Sequence, residues 1–250
     1  MSNNWFVVSK PRPQAQLRLI CFPYAGGNAN TFGQWSDTLY NNVEVVAIQP
    51  PGRANRLSEP AFDNMQDLVD ALMQHFPSVL DKPYMLFGHS MGARVAFEVL
   101  LACVERDLPL PKHFIASGSR AVQIPDLDKL TTGLSDDAFI ERLRDLEGTP
   151  EVLLQNAELM ELFLPLLRAE FTLSESYRFE GDVQLDVPLT VFGGVEDSGV
   201  DKDRLLAWQQ HFVPEMNLSM FPGGHFFLEH EQKLVLERLN QIFTRYFAAN

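Results

Sequence analysis

The chain has 250 residues, 46% of them hydrophobic, and a formal net charge of −13. This length and composition supply one sizeable core, so we predict a single α/β domain over residues 1–250. The acidic balance disfavours nucleic acid and anionic membrane surfaces as partners, and no apolar run reaches the roughly 18 residues that a membrane-spanning helix needs.

The two cysteines and the first residues of the chain indicate a compartment. Cys21 lies in a strand-like run and Cys103 in a helix-like one, and both are typical of small buried hydrophobic side chains in a reducing environment. The segment Met1–Trp5 lacks a basic region followed by an apolar core, so we expect no signal peptide. We therefore expect a cytoplasmic protein.

Short apolar runs alternate with amphipathic patterns along the chain, which is typical of βα units and a mostly parallel sheet flanked by helices. The predicted strands are Leu17–Phe22, Val43–Ile48, Tyr84–Phe87, Phe114–Ser117, Leu189–Phe192 and Leu218–Phe221. Four helices are predicted from apolar side chains at a spacing of about 3.6 residues. Their aligned residues are Met65, Leu68, Val69, Leu72 and Phe76, ended by Pro77; Val95, Val99 and Cys103; Leu205, Trp208 and Phe212; and Val235, Leu239, Ile242 and Tyr246.

The alternation breaks over about 125–179, where two helical patterns follow each other without a strand. Ser135 suits the N-cap of the first pattern, and Pro150 suits the first position of the second. The second pattern, Glu151–Leu167, is apolar on nearly every side, so it should be buried on several sides, and Pro165 should kink or split it. We predict a helical lid that covers the active site and lines a channel for a hydrophobic acyl chain; extra core is the alternative.

The stretch Gly88-His89-Ser90-Met91-Gly92 joins a predicted strand to a predicted helix. A serine on such a sharp turn has its hydroxyl above the edge of the sheet, where a base and a substrate carbonyl can reach it. The flanking glycines allow strand and helix to approach closely. Ser90 is therefore the candidate nucleophile, and a structural tight turn is the alternative.

A serine nucleophile needs a base, and six histidines compete for that role. His225 follows the strand Leu218–Phe221 and the breaker Pro222-Gly223-Gly224, which places it on a loop at a strand end. His89 neighbours Ser90 but should point away from it. We predict His225 as the general base. The remaining histidines are interpreted as structural: His75, His113, His211 and His230.

The base must be held in one tautomer by a carboxylate. Asp197, in the loop after the predicted strand Leu189–Phe192, is the candidate, and Glu196 is the runner-up. Asp201 and Asp203 are typical of the start of a helix. The resulting order of Ser90, Asp197 and His225 is that of α/β-hydrolases.

An oxyanion formed at Ser90 also needs backbone donors. One should be the N–H of Met91, and the other the N–H of Ala25 in the loop Phe22–Gly27, although this loop by itself could be an ordinary Gly-rich turn. No cluster of Cys and His has the spacing of metal ligands, and the Gly-rich loops lack nucleotide-binding forms. We expect neither a metal nor a cofactor.

Together these residues resemble the type II thioesterases, the stand-alone α/β-hydrolases that accompany nonribosomal peptide and polyketide synthases. The similar segments span nearly the whole chain: 22–27, 51–56, 88–92, 164–171, Gly193-Gly194 with Asp197, and 221–227. The resemblance implies that Ser90, Asp197 and His225 are catalytic and that the amides of Ala25 and Met91 form the oxyanion hole.

The resemblance further implies a substrate, an acyl thioester on the phosphopantetheine arm of an acyl or peptidyl carrier protein, and a role in removing aberrant acyl groups. The phosphopantetheine belongs to the substrate, and we expect a monomer. Three alternatives stay open: a carboxylesterase or lipase, a chain-terminating fatty-acyl thioesterase, and a non-catalytic binding protein of the same fold. In the segment 51–56, Arg53 and Arg56 either stabilise a turn, which we favour, or contact the pantetheine phosphate.

Overall fold

The computed structural model describes residues 4–125, 130–146, 148–149 and 151–249. Within these ranges the strands are β1 (Phe6–Val7), β2 (Leu17–Phe22), β3 (Val43–Ile48), β4 (Tyr84–His89), β5 (Phe114–Ser117), β6 (Leu189–Gly194) and β7 (Asn217–Phe221). They form one sheet in the order β1-β3-β2-β4-β5-β6-β7. Only the pairing of β1 with β3 is antiparallel among these described strands, so the mostly parallel sheet is confirmed.

The helices of the described residues are α1 (Trp35–Thr38), α2 (Met65–Met73), α3 (Met91–Glu105), α4 (Asp136–Asp145), α5 (Glu151–Leu154), α6 (Ala157–Ser176), α7 (Lys202–Leu206), α8 (Phe227–His230) and α9 (Gln232–Ala249). Each of them is too short or too polar to span a bilayer.

Helices cover both faces of the sheet, because alternate residues of a strand point to opposite sides. In β2, Ile20 and Phe22 enter the core under α2 and α3, whereas Leu19 and Cys21 enter the core under α1 and α9. Parallel strands buried on both faces are typical of α/β folds, and the predicted fold class is confirmed.

Two of the predicted helices end earlier than their apolar spacing indicates. The first ends at Met73, and Phe76 and Pro77 belong to a separate 3₁₀ turn, Phe76–Val79. The pattern that begins at Leu205 is divided between α7 and the 3₁₀ turn Ala207–His211. In both places the apolar side chains keep facing the core while the backbone tightens, so apolar spacing alone does not reveal the boundary. The strand β1 was not predicted, because two residues are too short to show a period.

The described part of the segment between β5 and β6 contains three helices, α4, α5 and α6, and no strand. Ser135 caps α4 by accepting the N–H of Ala138 at 3.3 Å, whereas the predicted helix start at Pro150 lies outside the described residues. The apolar pattern is divided before α6, where Asn156 Oδ1 accepts the N–H of Leu159 at 3.1 Å. Of the two effects predicted for Pro165, a kink or a split, the split is wrong, because α6 continues through the proline. The proline faces solvent, where water can bond the carbonyl that it leaves without a donor.

This helical segment has a small core of its own, which consists of Phe139, Leu143, Leu154, Met160 and Leu167. The expectation that its apolar pattern is buried on several sides is wrong in part. Val152 is 78% exposed and Leu162 is 49% exposed, so one face of α5 and α6 remains apolar and open.

Candidate active site

The turn between β4 and α3 places Ser90 at the carboxyl edge of the sheet. Its φ of 55° and ψ of −120° are strained for a residue with a Cβ atom, at a cost of about 1–3 kcal/mol. The neighbouring glycines make the turn possible. A Cβ on Gly92 would lie 2.2 Å from the carbonyl oxygen of Phe22, and one on Gly88 would lie 2.3 Å from that of Gly92. Close packing of the turn on the loop after β2 therefore fixes where the serine hydroxyl points.

Three side chains from separate strand ends form one hydrogen-bonded chain. Ser90 Oγ lies 2.9 Å from His225 Nε2, and His225 Nδ1 lies 2.7 Å from Asp197 Oδ2. An ionised carboxylate can only accept, so Nδ1 carries the proton and Nε2 accepts the serine hydroxyl. This is the arrangement in which an imidazole can take a proton from a serine that attacks a carbonyl.

The loop after β6 distinguishes the two candidate carboxylates. The side chain of Asp197 is 3% exposed, and its Oδ1 accepts the N–H groups of Gly199 at 2.9 Å and Val200 at 3.0 Å, which leaves Oδ2 for the imidazole. Glu196 instead accepts the N–H of Gly223. Asp197 therefore bonds the imidazole of His225. Glu196 instead joins the loop that carries Asp197 to the loop that carries His225.

His89 contacts the backbone of His225 rather than the serine, a role that no local signal in the sequence indicates. Its Nδ1 lies 2.9 Å from Ser117 Oγ, and its Nε2 lies 3.1 Å from the carbonyl oxygen of His225. The carbonyl requires a donor, so Nε2 carries the proton and Ser117 donates to Nδ1. Complete burial holds the pKa of His89 well below its ordinary value, and the nearby His225 acts in the same direction. A neutral ring can make both bonds.

The two amides predicted to hold an oxyanion lie in the loop after β2 and at the first residue of α3. Phe22, at the end of β2, pairs with Gly88 of β4, so the loop that contains Ala25 leaves the sheet beside the serine turn. Met91 is the first residue of α3, and its N–H therefore has no acceptor within the helix. In the described part of the chain, no acceptor takes the N–H of Ala25, whereas the next amide, that of Gly26, donates to Glu170.

The two arginines after β3 are buried and face the protein interior. Arg56 donates to the carbonyl of Gln49 at 2.9 Å, binds both carboxylate oxygens of Glu59 and lies 4.2 Å above the ring of Trp5. Arg53 donates to the carbonyls of Pro51 and Gly27 and pairs with Glu170. These contacts agree with the favoured interpretation, in which the arginines stabilise a turn.

A mostly parallel sheet with helices on both faces, and a serine, aspartate and histidine at three strand ends in that order, define an α/β-hydrolase. The family model described as a thioesterase domain matches residues 17–243. The chain belongs to the thioesterase family, and it is a hydrolase.

Known proteins are similar over nearly the whole chain. The gramicidin S biosynthesis protein GrsT of Aneurinibacillus migulanus is 40% identical over 235 residues, which cover 94% of this chain and 92% of that protein. The structure of ClbQ from the colibactin NRPS/PKS pathway has a TM-score of 0.89 at 30% identity and covers 94% of this chain and 100% of its own. The type II thioesterase BorB from the borrelidin cluster has a TM-score of 0.87 at 30% identity, with coverage of 96% and 98%. The resemblance to type II thioesterases is confirmed.

Proposed function

We propose that this protein hydrolyses acyl thioesters from the phosphopantetheine arm of carrier proteins and so removes aberrant acyl groups during nonribosomal peptide or polyketide synthesis. The hydrogen bond of 2.9 Å between Ser90 Oγ and His225 Nε2 carries the hydrolytic part of this proposal. The carrier-bound substrate is supported by relatives that belong to such pathways, among them GrsT and ClbQ.

The proposed reaction has two acyl transfers. His225 takes the proton of Ser90 as Oγ attacks the acyl carbonyl, and the amides of Ala25 and Met91 hold the resulting oxyanion. The C–S bond then breaks, and His225 returns the proton to the departing thiolate. A water molecule attacks the acyl-enzyme with His225 again as base, which releases the acid and restores Ser90. Asp197 keeps the imidazole in one tautomer throughout, and the reaction uses no metal or cofactor of the protein.

We assign the helical segment over about 125–179 as the lid of this site. Leu166 and Leu167 of α6 pack against Gly52 and Gly26, in the loops that follow β3 and β2 at the edge where Ser90 lies. Phe226, next to the base, packs against Gly148 of the same segment. A helical roof in this position would select acyl groups and admit the pantetheine arm.

The proposed partners are acyl or peptidyl carrier proteins. We further propose that the protein acts as a monomer in the cytoplasm. One chain supplies all three members of the Ser–His–Asp relay, and the two cysteines are buried thiols, which suits a reducing compartment.

The test is to incubate the protein with carrier proteins loaded with acetyl, longer acyl or aminoacyl groups and to measure release of each acid, with Ser90→Ala as the inactive control. Broad and slow release from all carriers is the expected result. Equal turnover of free oxoesters, with no gain from the carrier, would instead indicate a carboxylesterase, and a strong preference for one chain length would indicate a chain-terminating enzyme. Failure of a fluorophosphonate to label Ser90 would indicate a binding protein.

A further inference from the structure

Glu170 is a buried carboxylate on the lid helix α6 that the proposed reaction does not use. One of its oxygens pairs with Arg53, and the other accepts the backbone N–H of Gly26 at 2.7 Å. The side chains of both charged residues are buried, with 3% of Arg53 and 4% of Glu170 exposed. A lid residue therefore bonds directly to the loop that supplies a proposed oxyanion donor.

Arg53 completes the contact from the opposite side. It follows β3 and donates to the carbonyl of Gly27 as well as to Glu170. The dipeptide Gly26-Gly27 is thus held at its N–H by Glu170 and at its carbonyl by Arg53. We call Arg53 and Glu170 the loop clamp.

Ala25 immediately precedes the clamped dipeptide. Its N–H lies one residue from the amide that Glu170 binds, so a rotation of the backbone at Gly26 would shift the donor at Ala25. Two glycines leave this backbone free to rotate unless an external contact holds it. Misplacement of a catalytic group by about 1 Å can cost a hundredfold in rate. Within the loop, the N–H of Gly27 donates to the carbonyl of Tyr24 at 2.9 Å, and the clamp adds contacts from α6 and from the segment after β3 that hold the loop from outside.

Stability alone is a weak explanation for the clamp. Burying two charges costs desolvation that their attraction often fails to recover, and an apolar pair of similar size is frequently as stable. A buried polar network does, however, fix one geometry, because any other arrangement leaves a charge or an N–H without a partner.

We propose that Glu170 is a positioning residue that couples docking of the lid to the geometry of the oxyanion hole; this inference rests on the proposed function. When α6 lies on the loops, Glu170 holds Gly26 and the Ala25 amide points into the site. When α6 moves away from the loops, the N–H of Gly26 loses the Glu170 carboxylate as its acceptor, and the geometry of the oxyanion hole is no longer fixed. Substrate would then reach an open site, and full activity would require the lid to be docked over the acyl group.

The test compares two variants at Glu170 with a matched control on the same helix. Glu170→Leu should lower kcat about ten- to a hundredfold with little change in KM, because the oxyanion exists only in the transition state. The kcat of Glu170→Gln should lie between that of Glu170→Leu and that of the wild type, since the amide oxygen of the glutamine can still accept the Gly26 N–H. Glu175→Leu removes another lid carboxylate that accepts backbone N–H groups, those of Thr131 and Thr132, and should leave kcat unchanged.

Two further measurements separate positioning from folding. The double variant Arg53→Met with Glu170→Leu leaves no unpaired buried charge, so it should fold and still show the low kcat, with melting followed by circular dichroism. Binding of an acyl trifluoromethyl ketone, whose adduct with Ser90 carries an oxyanion, should weaken by the same factor as kcat/KM. If the Glu170 variants melt at a lower temperature but keep wild-type kcat, the clamp is only structural and the proposal is wrong.

The choice of substrates separates this proposal from the proposed function. Each variant is assayed with an acyl carrier protein and with p-nitrophenyl butyrate, because both reactions form an oxyanion at Ser90. Wild-type protein that cleaves the ester but no acyl carrier would contradict the proposed substrate, and the ester would still test the clamp. Wild-type protein that cleaves neither would overturn both proposals.

Discussion

The ring of His89 donates from Nε2 to the backbone carbonyl of His225 at 3.1 Å, so one imidazole holds the loop that carries the other. The same ring accepts the hydroxyl of Ser117 at the end of β5. His89 therefore joins the serine turn, the strand β5 and the loop of the proposed base. Its buried position leaves no water to replace these bonds.

Replacing His89 should lower turnover without changing substrate affinity. We expect His89→Leu to reduce kcat about tenfold, because the loop of His225 loses its anchor and the proposed base moves relative to Ser90. The buried hydroxyl of Ser117 left without its partner should also lower stability by about 1–3 kcal/mol. His89→Gln, whose amide N–H can reach the carbonyl of His225, should recover most of kcat. Steady-state kinetics and urea unfolding measure both effects, and an unchanged kcat in His89→Leu would contradict the anchoring role.

Replacing a carboxylate by an amide should affect kcat very differently at Asp197 and at Glu196, the two acidic residues after β6. Asp197→Asn places an amide next to Nδ1 of His225 and favours the wrong tautomer, so we expect kcat to fall by about 10⁴. Glu196→Gln keeps an oxygen that can accept the N–H of Gly223, so kcat should change by about fivefold or less. Hydrolysis assays on the two purified variants measure both values of kcat. A larger loss of kcat in Glu196→Gln than in Asp197→Asn would indicate that Glu196, not Asp197, orients His225.

The sequence predicts most of the sheet and the members of the proposed triad because both leave local signals. Strands appear as apolar runs, and Ser90, Asp197 and His225 follow strand ends in segments rich in glycine. Parallel strands then bring these ends to one edge without further information.

Contacts across long separations leave no such signal. The bond from His89 to His225 spans 136 residues, and the bond from Gly26 to Glu170 spans 144. Each depends on how a loop or a lid packs, which neither periodicity nor a short motif encodes. Pro165 shows the same limit, because its effect on α6 depends on which side of the helix faces solvent.

Arg56 provides a test of the alternative in which this turn binds the pantetheine phosphate. Its guanidinium is already occupied by Glu59, the carbonyl of Gln49 and the ring of Trp5. Arg56→Met should therefore lower the free energy of unfolding by about 1–3 kcal/mol. It should also leave unchanged the ratio of kcat/KM between an acyl-phosphopantetheine and an acyl-pantetheine that lacks the phosphate. A selective loss with the phosphorylated substrate would favour phosphate binding instead.

The stability of the protein should decrease in mild acid, in part through His113. This ring lies just before β5, and its Nε2 is 2.8 Å from Thr190 Oγ1. Burial, with a smaller effect from the charge of Arg245, lowers the pKa of His113 from 6.5 to about 4. Between these values the unfolded chain binds a proton that the folded chain does not, so stability falls as the pH drops through this range and is constant above it.

A difference of this size corresponds to a loss of about 3 kcal/mol once the pH lies below both pKa values of His113. The amide of His113→Gln can still form a hydrogen bond with Thr190 Oγ1, but it cannot titrate. Urea unfolding at pH 7 and at pH 4.5 should therefore show a smaller loss of stability in His113→Gln than in wild type, by about 2–3 kcal/mol. Carboxylates also titrate in this range, but they are common to both proteins and cancel in the comparison. Equal losses in the two proteins would show that His113 binds its proton as readily in the folded chain as in the unfolded one.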